Sequence, residues 1–176
     1  MLDYLSRRQF SLAVASFATS GSIARRFWTP RSPAVAGDVT RNSEAIHQEI
    51  VVAGSAARVY AALTDAEEFT KLTAFSSMKN AAPAQIARDP GGVFSLFNGH
   101  IVGRQLELVP AQRIVQAWRV VDWPEGAYSI ARFDLADRGG KARLVFDHTG
   151  FPRGLGEHLA LGWRTNYWQP LEKYLR

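Results

Sequence analysis

The chain has 176 residues, 47% of them hydrophobic, and a formal net charge of +5. That is enough for one ordinary domain with a core of its own. There is no cysteine, which excludes disulfides and thiolate metal sites. The basic excess sits at one end. Residues 1–36 hold five arginines (Arg7, Arg8, Arg25, Arg26, Arg31) against Asp3, leaving 16 Lys and Arg against 15 Asp and Glu elsewhere. A nucleic-acid partner is therefore not expected.

In chain order, Ser6-Arg7-Arg8-Gln9-Phe10 precedes a small, weakly apolar run from Ser11 to Ala24. Ala34-Val35-Ala36 then stands before Gly37. A charged start, a short apolar stretch and an A-x-A site in this order form the layout of a secretory signal. Arg7 and Arg8 before Phe10 resemble the twin-arginine export signal. That resemblance implies the twin-arginine translocase as a partner during export, cleavage between Ala36 and Gly37, and a periplasmic or exported mature protein. The alternative is a basic tail on a cytoplasmic protein. The run from Ser11 to Ala24 has 14 residues and is broken by Ser, Thr and Gly. A spanning helix takes about 20 apolar residues, so no stable membrane span is expected. Lack of disulfides suits a protein that folds in the cytosol before export.

Residues 37–43 read as a polar linker, and 44–176 as the domain. Ile46 to Val52 is β-branched and apolar, hence a strand. Ser55 is placed to cap a helix over Ala56 to Leu63, and Thr64-Asp65 to cap a second running through Phe69 to Leu72. Strands follow at Val93 to Phe97, Ile101 to Val109, Arg113 to Val121, Tyr128 to Leu135 and Ala142 to Thr149. Their short turn-type separators predict an antiparallel meander. Alternation sorts the faces. Trp118, Phe133, Phe146 and His148 point inward with Gln116, while Arg119, Arg132, Arg143 and Asp147 point out. Arg119 and Asp147 are expected to form a surface pair, and Glu67 and Glu68 to be solvated. Leu155, Leu159, Trp163, Tyr167 and Leu171 recur every four residues on a long C-terminal helix, with Pro170 expected to kink or loosen its last turn.

The expected fold is α+β: a curved antiparallel sheet wrapped on a long C-terminal helix, with two short helices after the first strand. The motifs go further. Val59-Tyr60-x-x-Leu63-Thr64-Asp65 resembles the opening of the START-like (SRPBCC) superfamily. Its activator-of-Hsp-ATPase-homologue branch is similar at Pro90-Gly91-Gly92, Gly99-x-x-x-Gly103, Pro110-x-x-Arg113-Ile114-Val115-x-x-Trp118-Arg119 and Trp123-Pro124. Thr149-Gly150-Phe151-Pro152 and Gly162-Trp163-x-x-x-Tyr167-Trp168-x-x-Leu171 complete the pattern. The resemblance implies a helix-grip (START/Bet v-like) fold and a cavity between sheet and long helix, which members use as carriers, cyclases or co-chaperone domains.

Such a cavity would take its ligand-binding walls from Phe69, Leu72, Phe94, Gln116, Trp118, Phe133, Phe146, His148, Trp163 and Tyr167, with Phe75, Phe97 and Trp168 as further candidates. Buried aromatics are more often packing than lining. His148 and Gln116 either find partners inside the protein or orient a polar group of a ligand. His47, His100, His148 and His158 lack metal-ligand spacing, and no cofactor motif is present. The expected function is binding of a small hydrophobic or amphipathic molecule or lipid, without catalysis, cofactor or metal. Two alternatives stay open. One is a cyclase or hydrolase with His148 as acid/base; the other is an ATPase-activator co-chaperone, if the chain stays in the cytosol.

Overall fold

The computed structural model describes residues 44–176. The expected signal (Arg7, Arg8, Phe10), cleavage site (Ala36, Gly37) and linker lie outside the described residues. The elements are β1 (Ala45–Ala53), α1 (Ala56–Thr64), α2 (Ala66–Thr73), β2 (Gln85–Ile86), β3 (Val93–Leu96), β4 (Ile101–Val109), β5 (Arg113–Val120), β6 (Ser129–Arg138), β7 (Lys141–Thr149), α3 (Gly156–Trp163) and α4 (Gln169–Tyr174). They build the expected α+β arrangement. The strands form one antiparallel sheet in the order β1-β7-β6-β5-β4-β3-β2.

Local chemistry sets the element ends. Ser55 Oγ accepts from the Arg58 N–H at 3.3 Å, and Asp65 Oδ1 accepts from the N–H groups of Glu67 and Glu68 at 2.8 and 3.0 Å. These bonds satisfy donors that a helix start leaves open. Between β6 and β7 the chain reverses through Gly139 and Gly140, both at positive φ (+56° and +81°). A two-residue hairpin turn of that kind favours glycine.

Alternation places the side chains as expected: Trp118, Phe133, Phe146 and His148 are buried on the concave face. In β4 the register shifts between Gln105 and Glu107, which leaves Leu106 exposed. Arg119 and Asp147 do not pair. β6 lies between their strands, so Asp147 meets His47 directly across on β1 at 2.6 Å. Arg119 instead donates to the Trp123 carbonyl at 2.7 Å and lies over the Tyr128 ring. Glu68 is not merely solvated, because it accepts from the Tyr174 hydroxyl and ties α2 to α4.

Two further expectations are corrected. The strand at Val93 ends at Leu96, and Phe97 turns into left-handed backbone at φ +53°. The C-terminal helix loosens one turn before Pro170 rather than in its last turn. Arg164–Trp168 forms a wider π-type turn joining α3 to α4. Proline has no N–H and its ring crowds the carbonyl four residues back, so its cost falls on the preceding turn. Gln48 of β1 clamps this region: its Oε1 accepts from Trp168 Nε1 at 2.5 Å, and its Nε2 donates to the Ala160 carbonyl at 3.1 Å.

Gly103 shows how tightly the sheet packs. It sits opposite Trp118 on β5 and Phe94 on β3, and a Cβ there would run into the Ala117 carbonyl oxygen and the Phe94 ring. Gly103→Ala is therefore expected to destabilise by about 3 kcal/mol, the upper end of ordinary overpacking. In a thermal melt that is a drop of roughly 6–12 °C. An unchanged midpoint would show that the sheet can give way here.

Candidate ligand-binding cleft

The helix and sheet meet through aromatic rings. Trp163 is the hub, with ring centroids 4.2 Å from Tyr167, 4.4 Å from Phe146, 5.3 Å from Trp118 and 5.6 Å from Trp168. Phe69, Phe97 and Tyr167 form an edge-to-face triangle, each pair 5.7 Å apart. These offset and edge-on geometries are the favoured ones for aromatic quadrupoles. The space between sheet and helix is accordingly mostly filled. At one end it leaves a cleft of about 90 Å³, while larger and more open grooves of about 720 and 390 Å³ run between β1 and the C-terminal helix. Ordinary small-molecule pockets run about 300–1,000 Å³.

Of the ten expected ligand-binding residues, the cleft brings together Trp118, Trp163 and Tyr167. Phe97 also lines it. Phe69, Leu72, Phe94, Phe133 and Phe146 are buried among other side chains and do not reach it. Phe75 is exposed, and Trp168 packs behind Trp163. Met78, His158 and Gly162, none of them expected from the sequence as ligand-binding residues, line the cleft as well. Gly162 had a signal: a glycine inside a helix, next to the central tryptophan, that packing alone does not ask for.

His148 and Gln116 find partners inside the protein. The Trp163 indole N–H donates to His148 Nδ1 at 3.0 Å, so the imidazole proton is on Nε2. That N–H donates to Ser129 Oγ at 2.6 Å, and the Ser129 hydroxyl donates to the Trp118 carbonyl at 2.8 Å. Both ring nitrogens are occupied and the side chain has no exposed surface. Burial pushes its pKa down to about 3. His148 is thus a neutral structural link with no free nitrogen to offer a substrate as acid or base. Gln116 donates from Nε2 to Gln105 Oε1 at 3.2 Å, beneath the sheet surface and away from the cleft. Among the described residues no three His, Asp or Glu side chains are grouped to hold a metal. No described helix is long and apolar enough to cross a membrane.

The fold and its filled seam define a START-like helix-grip domain. The family described as activator of Hsp90 ATPase homolog 1-like protein matches residues 53–176, and the chain belongs to it. A human protein named activator of 90 kDa heat shock protein ATPase homolog 1 is 30% identical over 114 residues, covering 63% of this chain and 34% of that protein. The chain thus spans about a third of the length of this relative and of its mouse counterpart. Among solved structures, an Hsp90 activator from Plasmodium falciparum superposes with a TM-score of 0.68 at 26% identity, covering 75% of this chain and 96% of that one. CalU16 from Micromonospora echinospora shares the fold at a TM-score of 0.62 and 19% identity, with 76% of each chain covered.

The His148 link carries a pH signature. The unfolded chain binds that proton near pH 6.5, whereas the folded one resists it down to about pH 3. The link's stabilisation is present above pH 6.5 and is lost as pH falls, by up to about 1.4 kcal/mol per pH unit. Denaturant unfolding of His148→Gln should show lower stability at pH 7 and a shallower pH slope below pH 6.5 than the parent. Parallel slopes would mean that the imidazole is charged in the fold.

Proposed function

We propose that this domain binds a small apolar or amphipathic molecule at the cleft between sheet and C-terminal helix, and does so without catalysis. The observation that carries this reading is an apolar opening framed by the buried rings of Trp118, Trp163, Phe97 and Tyr167. The occupied nitrogens of His148 speak against the cyclase or hydrolase alternative, which needed that side chain as acid or base. The cleft is small, so the ligand is compact, or only its end enters.

Gly162 offers a clean test. Gly162 lines the cleft and a Cβ built there meets nothing within 4 Å, so Gly162→Leu places side chain in the cleft. Replacing a mid-helix glycine should also stabilise by about 0.5–1 kcal/mol. We expect 1-anilinonaphthalene-8-sulfonate and benzene-sized probes to quench tryptophan fluorescence in the parent protein and to lose at least about tenfold in affinity in Gly162→Leu, with the melting point equal or higher. Equal affinity in the two proteins would move binding away from the cleft.

We propose further that the domain works after export through the twin-arginine translocase. The support is the order of Arg7, Arg8 and Phe10, the short apolar run, and Ala36 before Gly37. The competing reading is cytoplasmic co-chaperone activity, favoured by the human relative's name and its 30% identity. Mass spectrometry of the protein isolated from its own host separates them. Export predicts a chain starting at Gly37, and replacing Arg7 and Arg8 with lysine should leave the precursor uncleaved. A chain starting at its natural N-terminus would favour the co-chaperone reading.

A further inference from the structure

The cleft has an electrostatic asymmetry at its floor. The Trp118 indole N–H lies beside the Tyr167 hydroxyl without ordinary hydrogen-bond geometry, and neither has another partner among the described residues. Both side chains line the cleft, and both are more than nine-tenths buried, at 3% and 6% exposed. Folded proteins pair nearly all such groups, so two unpaired ones at one opening mark a place where a partner is expected. A third unpaired group, Gln105 Nε2, lies away from the cleft against Gln116.

A count of donors says what that partner is. An indole N–H can only donate, while a phenol donates one proton and accepts. Even if the two met each other, one donor would be left over, so the site lacks an acceptor. Burial holds the Tyr167 phenol well above its usual pKa, only partly opposed by the nearby Trp118 N–H, so it stays a donor at neutral pH. The walls are ring faces and edges from Trp118, Trp163 and Phe97. Phe97 is also held in left-handed backbone, a strained state for a bulky side chain of the kind that gathers at binding sites.

We propose that the cleft selects flat apolar molecules bearing a hydrogen-bond acceptor, namely aryl or conjugated carbonyl compounds, whose oxygen receives the Trp118 N–H and the Tyr167 O–H. This rests on the cleft being a binding site. The carbonyl end enters the 90 Å³ cleft, and the rest of a larger molecule stays outside it.

Acetophenone and ethylbenzene have nearly the same shape and differ in the carbonyl. Titrated into the full chain, acetophenone should bind about tenfold tighter, as one or two well-desolvated hydrogen bonds allow. It alone should move the Trp118 indole N–H resonance downfield. Tyr167→Phe keeps the ring and removes an unpaired polar atom, so it should fold, and the preference should drop by at least about threefold. Trp118→Phe should do the same. Equal binding of the two probes to the parent protein, or a preference that survives both variants, overturns the acceptor assignment and leaves the cleft as an apolar binding site. Binding of neither probe, with parent and Gly162→Leu indistinguishable, overturns the binding reading and this inference with it.

Discussion

Trp163 holds the C-terminal helix to the sheet, and most of the domain's organisation follows from what that one indole requires. Its ring faces and edges need aromatic neighbours, which Phe146, Tyr167, Trp118 and Trp168 supply at 4.2–5.6 Å. Its buried N–H needs an acceptor, which His148 Nδ1 supplies. That fixes the imidazole tautomer, so Nε2 must donate, and Ser129 must accept and pass the demand to the Trp118 carbonyl. One chain of hydrogen bonds thus links the helix to β7, β6 and β5. A buried network of this kind is stabilising only when every member is satisfied, and here each donor has its acceptor.

The same requirement explains why the cavity expected between sheet and helix is nearly closed. Five large rings converge on one helix turn, and their volume fills what a roomier member of this fold would leave open. The wider turn at Arg164–Trp168 is part of the solution. Leu155, Leu159, Trp163, Tyr167 and Leu171 recur every four residues, while a regular helix repeats every 3.6 residues or so. A strict four-residue stripe would drift by about 40° per step and leave the sheet. A turn with more residues takes up the drift, so Tyr167 and Leu171 both stay buried. The residual space falls where the helix carries Gly162 instead of a side chain.

Much of this was legible because period-two and near-period-four patterns leave little freedom. The inward set on β5, β6 and β7 follows from alternation alone, and the capping roles of Ser55 and Asp65 from the preference of Ser and Asp for helix starts. What escaped has physical reasons. β2 is two residues long and carries no periodicity of its own. Phe97 looked like one more strand residue, since nothing local to an aromatic announces left-handed backbone. The four-residue spacing contains the π-type turn, but it looks like ordinary helical recurrence, and Pro170 is the only local signal of a disturbance there. At the site, polarity pointed to His148 and Gln116, yet both spend their hydrogen bonds inside the protein. The unpaired groups are Trp118 and Tyr167, which composition counts as apolar filler. Whether a polar atom is paired is a three-dimensional fact, and alternation cannot supply it.

An interior function and an exterior one would constrain this fold differently. The outer face of the sheet carries charges that answer each other: Arg143 with Glu49, and Arg113 and Arg132 both with Asp134. Exposed pairs of this sort contribute little stability each, about 0–1 kcal/mol. A co-chaperone surface would have to be found among the exposed apolar residues, such as Val121, Tyr128 and Ile130. The inner face has the opposite character, because its hydrogen bonds close on themselves everywhere along the Trp163 chain and stay open at Trp118 and Tyr167. A donor left over between Trp118 and Tyr167, beside a strained phenylalanine and a side-chain-free helix position, makes a poorly packed spot among the aromatic rings. Nothing in the packing of helix on sheet requires a glycine there, since a Cβ at position 162 meets no neighbour within 4 Å. Function is therefore argued from the cleft, and shared ancestry with ATPase activators supplies the frame around it.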